Sequence, residues 1–351
     1  MPCSMSNPRR CAAKYRIASR FREDVLAFID RRFLAPAAFV AALAAASPAT
    51  AQTYPSRPVT IIVPFAAGGP TDLVARVIAD KMQAPLGQSL VIENVAGAGG
   101  SIAATRVARA APDGYTLEIG NNGSNLLVGA LYDLPVDVIK DFAPVAELTV
   151  NPQIIVSRTT VPATNLKELL AWLKDNQNSV SVGIAGPVAE VSVVNFETMT
   201  GMKFQLVPYR GAAPAIQDLV AGHIDLMVDQ LSNSVPQIKA GTVRAYALAA
   251  RRRSPAMPDA PTTDEAGLPG FYGALWHGLW APRGVSADVI AKLNSAVKQS
   301  LADPTVQQKL AAVGQQIVPP DRQTPEGLGP FQEAEKAKWF PIVRAAGMRG
   351  E

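Results

Sequence analysis

Cysteine and histidine are scarce. The 351 residues hold two cysteines, Cys3 and Cys11, and two histidines, His223 and His277. With both cysteines near the start, the rest of the chain can form no disulfide. It also offers no thiol nucleophile and no sulfur ligand for zinc. The histidines stand far apart, and no HExxH or other ligand spacing exists, so a structural role is expected for each. No GxSxG turn is present, which removes the nucleophile elbow of serine hydrolases. No Gly-Lys-Ser/Thr follows a glycine-rich loop, and no G-x-G-x-x-G occurs, which removes the common nucleotide signatures. Charged residues make up only 18 % of the chain against 48 % apolar, a globular composition rather than a disordered one. The length suffices for two medium domains with a sizeable core.

The longest apolar stretch is itself short. Phe33 to Ala46 spans fourteen residues, follows Arg31 and Arg32, and precedes Ala49-Thr50-Ala51. A basic flank, a short apolar run and an A-x-A site read as a secretory signal peptide, expected over 1–51. No cysteine sits at the cleavage site, which argues against a lipid anchor there. Residues 1–51 carry eight of the 33 Lys/Arg and three of the 29 Asp/Glu. From Gln52 onward the chain therefore holds 25 basic and 26 acidic residues, a net charge of −1. The basic character belongs to the leader, and a nucleic-acid partner is not expected. The mature protein is expected in the periplasm.

Strands and helices then alternate. VTIIVPF (59–65), LVIEN (90–94) and YTLEIG (115–120) read as strands, with helical patterns at 73–82 and 101–111 between them. A second series starts after Asn151-Pro152, with strands at 153–158, 181–186, 204–209, 224–229 and 243–250. WHGLWAP (276–282) is again strand-like, and 286–303 and 324–347 are mainly helical. Alternation of this kind predicts parallel α/β sheets, and the restart suggests two of them.

The chemistry concentrates at strand ends. PFAAGGPTD (64–72) and NVAGAGGS (94–101) each place a glycine pair where a helix begins. A helix start exposes free N–H groups, and glycine removes the Cβ that would block approach. Two such loops on neighbouring strands predict an anion site, for a carboxylate as well as for a phosphate. GNNGSN (120–125) puts Asn121 and Ser124 on the same rim, while GIAGPV (183–188), PYRGAAPA (208–215) and DQLSN (229–233) end further strands. Asp113 reads as a turn former and Arg251-Arg252-Arg253 as a solvated charge run.

The ordered segments YPSRPVTIIVPFAAGGPTD, LGQSLVIENVAGAGGSIAA, APDGYTL, KDFAPVAEL, VPYRGAAPAIQDLVAGHIDLM, RSPAMPDAPTTDEAGLPG and GLWAPRG cover most of 54–347. Together they resemble the solute receptors of tripartite tricarboxylate transporters, the TctC-like or Bug (Bordetella uptake gene) family. The resemblance implies an α/β type II periplasmic-binding-protein fold, two lobes with a ligand cleft between them. It implies capture of a small organic carboxylate for a membrane permease of one large and one small subunit, by a monomer without catalysis, metal or cofactor. Lobe 1 is expected over 52–152 and 278–351, and lobe 2 over 153–277.

In the family the first two loops grip one carboxylate through backbone groups and ordered waters. Carried over, the ligand contacts are Phe65, Ala66, Gly68, Gly69, Thr71 and Asp72, then Ala98, Gly99, Gly100 and Ser101. Asn121, Ser124, Gly186, Pro187, Val188, Tyr209 and Asp229 complete the expected site. The sequence departs from the family where Pro187 and Val188 follow Gly186, removing a backbone donor and a hydroxyl or amide. It departs again at Val228-Asp229-Gln230. These departures predict a ligand with one carboxylate at the glycine loops and a less polar distal end. Asp229 either receives a ligand donor or only caps the helix that follows it. A sensory receptor signalling to a membrane kinase is the alternative, and an exported enzyme the weakest reading.

Overall fold

The computed structural model describes residues 53–345 and 347–349. The expected signal peptide lies outside them. Strand β1 (Val59–Val63) runs parallel between β2 (Leu90–Asn94) and β3 (Thr116–Asn121). Val59, Ile61, Ile62 and Val63 are all fully buried, because helices cover both faces of the strand. That is why the segment reads as an unbroken apolar run rather than an alternation. Helix α1 (Pro70–Leu86) starts on a proline whose missing N–H would have lacked a partner anyway. Its Val74, Ile78 and Met82 pack on Ile61, Leu117 and Ile119. A tight turn at Ala98–Gly100 leads from β2 into α2 (Ser101–Ala108), and a wide helical turn, Gly123–Leu127, leads from β3 into the short α3 (Val128–Leu131).

Strand β4 (Phe142–Arg158) is the joint of the fold. At 17 residues it extends ~56 Å. Its first part pairs antiparallel with β9 (Ala274–Pro282), ending at Pro152 opposite Ala274. From Gln153 it pairs antiparallel with β7 (Leu226–Gln230), and from Ile154 with β8 (Val243–Leu248). Strands β5 (Ser181–Ile184) and β6 (Gln205–Pro208) complete the second half, with β5 parallel to both β6 and β7. The expected break at Asn151-Pro152 is therefore not a strand boundary. Proline cannot donate to a ladder, and it sits where β4 hands over from β9 to its new partners. The strands form one continuous mixed sheet rather than the two parallel sheets expected, since β4 joins both halves and β3, β9, β4 and β7 are antiparallel neighbours along the path β2-β1-β3-β9-β4-β7-β5-β6.

The second half packs like the first. Helices α4 (Leu166–Asn176) and α5 (Pro187–Thr200) cover one face through Leu169, Leu173 and Phe196, against Ile155, Val182 and Val228. Helices α6 (Ala212–Ala221) and α7 (Leu231–Lys239) cover the other, against Ile154 and Met227. The chain then returns to the first half through α8 (Ala287–Ala302), α9 (Pro304–Ala311), the two-residue β10 (Gln316–Ile317) and α10 (Pro325–Ala345). Among the described residues no helix is long and apolar enough to cross a membrane.

Candidate functional site

The loops after β1, β2 and β3 leave the carboxyl edge of one parallel set, and those after β5, β6 and β7 leave the edge of the other. The two groups of loops meet. The Ala66 N–H donates to the Arg210 carbonyl at 3.3 Å. A Cβ placed on Gly99 would lie 3.1 Å from the Pro187 ring, and one on Gly186 3.3 Å from the Phe65 ring. The lobes are thus closed on each other around a crevice at the switch points of both halves of the sheet, where α/β folds bind ligands.

The first loop is braced from within. Buried Asp72 accepts from the Gly68 N–H at 2.9 Å, from Arg76 Nε at 2.9 Å and from Asn94 Nδ2 at 3.0 Å. Burial opposes its ionisation, but these partners together hold the carboxyl below the usual carboxylate range. Asp72 therefore fixes the glycine turn and occupies the Gly68 donor. Gly69 keeps ordinary backbone angles, φ −82° and ψ 173°, and faces Ala213 of the other lobe.

The second loop turns through left-handed angles at Ala98 (φ +43°), Gly99 (+63°) and Gly100 (+104°). The Gly100 and Ser101 N–H groups bond back to Gly97 and Ala98. The N–H groups of Ala98 and Gly99, at the start of the turn, have no place in that ladder. At the third loop the Asn121 side chain accepts from the Gly123 N–H at 2.7 Å and donates to Thr71 Oγ1 at 3.3 Å. Ser124 Oγ donates to Asn125 at 2.6 Å. Beneath this turn lies Glu118, fully buried, whose carboxyl burial pushes up to about 8 against a weaker opposite pull from Asn125.

The opposite wall comes from the loops after β5, β6 and β7. Gly186 (φ +105°) lets the chain turn into Pro187, the first residue of α5. Val188 is buried with Leu127, Leu131 and Leu275. The Tyr209 hydroxyl donates to Asp218 at 2.6 Å, and burial with that carboxylate pushes it up to about 12. Asp229 accepts from Ser234 Oγ at 2.6 Å and Asn233 Nδ2 at 2.8 Å. Burial pushes it up to about 6 despite those bonds. It braces α7 and also lines the crevice.

Phe65, Gly186 and Pro187 divide the crevice into two chambers. The inner one, of about 10 Å³, holds roughly one water. Asn121, Val188 and Asp229 line it, together with Gln153 and Gln230, whose buried Oε1 has no partner. The outer one, of about 290 Å³, is lined by Ala98, Gly99, Gly100 and Tyr209 among others. Ala66, Gly68, Gly69, Thr71, Asp72 and Ser124 stand behind these walls, and Ser101 faces a separate groove. Sequence reasoning missed Gln153, Gln230, Glu190, Tyr132 and Arg349. Gln230 could have been found beside Asp229; Arg349 lies past the last helix and carries no local signal. His277 is buried beside Thr149 Oγ1 at 3.1 Å, and burial lowers its pKa to about 3. Among the described residues no group of His, Cys, Asp and Glu could hold a metal ion.

The profile of the "Tripartite tricarboxylate transporter family receptor" matches residues 74–348. A "UPF0065 protein in the TAR-I ttuE-ttuC' intergenic region" of Agrobacterium vitis is 41 % identical over 298 residues, 84 % of this chain and 86 % of that one. The structure of MatC from Rhodopseudomonas palustris with bound malate is 42 % identical, with a TM-score of 0.79, covering 83 % of this chain and 100 % of that one. The periplasmic binding protein BugD is 38 % identical, with a TM-score of 0.81, covering 85 % and 100 %.

Proposed function

The chain belongs to the tripartite tricarboxylate transporter receptor family, and from that premise we propose that it captures a small organic carboxylate in the crevice between its lobes. In this reading the protein works in the periplasm as a monomer, without cofactor, and delivers its ligand to a membrane permease of one large and one small subunit. The family is one of receptors, not enzymes. The observation that carries the reading is the crevice itself. The left-handed turn at Ala98–Gly100, whose Ala98 and Gly99 N–H groups stand outside its ladder, faces an apolar wall at Pro187, and closure sets one against the other. Backbone donors recognise a carboxylate without a fixed counter-charge, and the MatC structure with malate supports that ligand class. Binding would shift the population toward the closed state. Lobe 1 would comprise 52–152 and 278–351 and lobe 2 153–277, in keeping with the handover at Pro152. A thermal-shift screen of organic acids tests the reading, since a ligand at about 100 times its Kd adds ~2.7 kcal/mol.

Asp229 gives a separate test of the inner wall. Its pKa rises from an ordinary 3.8 to about 6, so the folded state holds the proton more tightly than the unfolded chain. The stability it contributes is full below about pH 4 and is lost as pH rises through about 6. Asp229→Asn removes that dependence. The difference in unfolding free energy, wild type minus variant, should fall by on the order of 2–3 kcal/mol between pH 4 and 7. Urea denaturation of both proteins across that range checks it. A constant difference would mean that Asp229 is not held in a desolvated site.

A further inference from the structure

Resting on the carboxylate-receptor reading, we propose that Arg210 and Arg349 form an anion-binding end of the outer chamber. The ligand is then an elongated diacid whose second carboxylate they receive. The two guanidinium-bearing residues line the same chamber from different parts of the chain. Arg210 follows β6, and Arg349 lies beyond α10. Neither is paired with a carboxylate among the described residues. Arg210 is also held in place, because its carbonyl accepts the Ala66 N–H across the crevice. Closing the lobes therefore brings Arg210 up to the first loop.

The remaining wall selects the body of the ligand. Phe65, Ile184, Pro187, Leu206 and Pro208 give the same chamber an apolar surface alongside the glycine turn and the two arginines. That surface suits methylenes or a ring rather than a polyhydroxylated chain. Glu190 is the one acidic residue of the chamber lining, against two arginines, so the balance favours an anion. The inner chamber, with room for about one water, cannot take a second carboxylate in this closed arrangement. Its acceptors at Asp229 and Gln230 would oppose one. The donors lost at Pro187 and Val188 are thus replaced outside, by arginines that present planar donor forks to a carboxylate.

Calorimetric titration of saturated monoacids and diacids of matched length, hexanoate and adipate among them, tests this. The proteins compared are the wild type, Arg210→Gln, Arg349→Gln and the double variant. Both arginines are exposed, so folding is not at risk. The wild type should prefer adipate to hexanoate by roughly fivefold to tenfold, the range of a charge-assisted contact at a partly wetted site. The double variant should bring the preference within about twofold while hexanoate affinity stays unchanged, and Arg210→Lys should keep part of it. A preference that survives in the double variant overturns the proposal. So does a wild type that binds monoacids as well as diacids, though the receptor reading then stands. Binding of no acid at any length defeats both.

Discussion

A Gly69→Leu protein should fold normally and bind no organic acid. The backbone at Gly69, φ −82° and ψ 173°, is open to any residue. A Cβ there would sit 3.5 Å from the Ala66 carbonyl oxygen and 3.8 Å from the Ala213 nitrogen, both ordinary contacts. The rest of a leucine side chain would then press on Ala213 at the start of α6, in the opposite lobe. The lobe that carries it is unharmed, but the closed state is blocked. If binding requires closure, affinity should drop by at least about 100-fold, the scale of removing a state that the ligand must select. Gly100 is the poorer target. Its φ of +104° and a Cβ only 2.7 Å from that of Ser124 would damage the lobe itself. Calorimetry checks the affinity and a melting curve checks the fold. A stable Gly69→Leu protein with wild-type affinity would show that the loops do not close on the ligand.

The largest loss of stability should come from Arg322→Met. Glu147, on β4, is fully buried and accepts a two-pronged contact from Arg322, whose Nε lies at 2.7 Å. The guanidinium also stacks 4.2 Å from the centre of the Phe331 ring. Burial pushes Glu147 from an ordinary 4.5 up to about 7, against the pull of Arg322. Removing the arginine leaves a carboxylate with no counter-charge, at a cost of about 3–5 kcal/mol. That is a large share of the ~5–15 kcal/mol that holds a domain together. The sign with pH follows from the raised pKa. The contribution of Glu147 is full below about 4.5 and is lost as pH rises through about 7. The variant should therefore lose more stability at pH 8 than at pH 5. Adding Glu147→Gln to Arg322→Met should recover part of the loss. Urea midpoints at both pH values check this, and an equal loss at each would contradict it.

The readable parts of the sequence were those in which local pattern and tertiary environment agree. β1 reads as a run because both its faces are covered, and the glycine turns stand where helices begin. β4 resisted reading for the opposite reason. Pro144 and Pro152 interrupt it, and bulges near Ala146 and Leu148 spoil the alternation, so its continuity is visible only through its partners. Asp72 is expected at the ligand because the resemblance carries over the family's first loop; in the structure it bonds Gly68, Arg76 and Asn94, partners that the loop sequence alone does not reveal. The division of the crevice by Pro187 depends on how closely two lobes approach, which no local spacing encodes. Arg349 reaches the crevice from the far end of the chain, so only the fold brings it to the chamber that Arg210 also lines.

In the proposed function, two lobes close on an organic acid. The most direct test of that closure is calorimetric titration of an organic-acid panel into the wild type and Gly69→Leu side by side. Saturable binding of at least one carboxylate to the wild type, and none to the variant, is the expected result. A panel that leaves the wild type silent, or equal binding to both proteins, would contradict it.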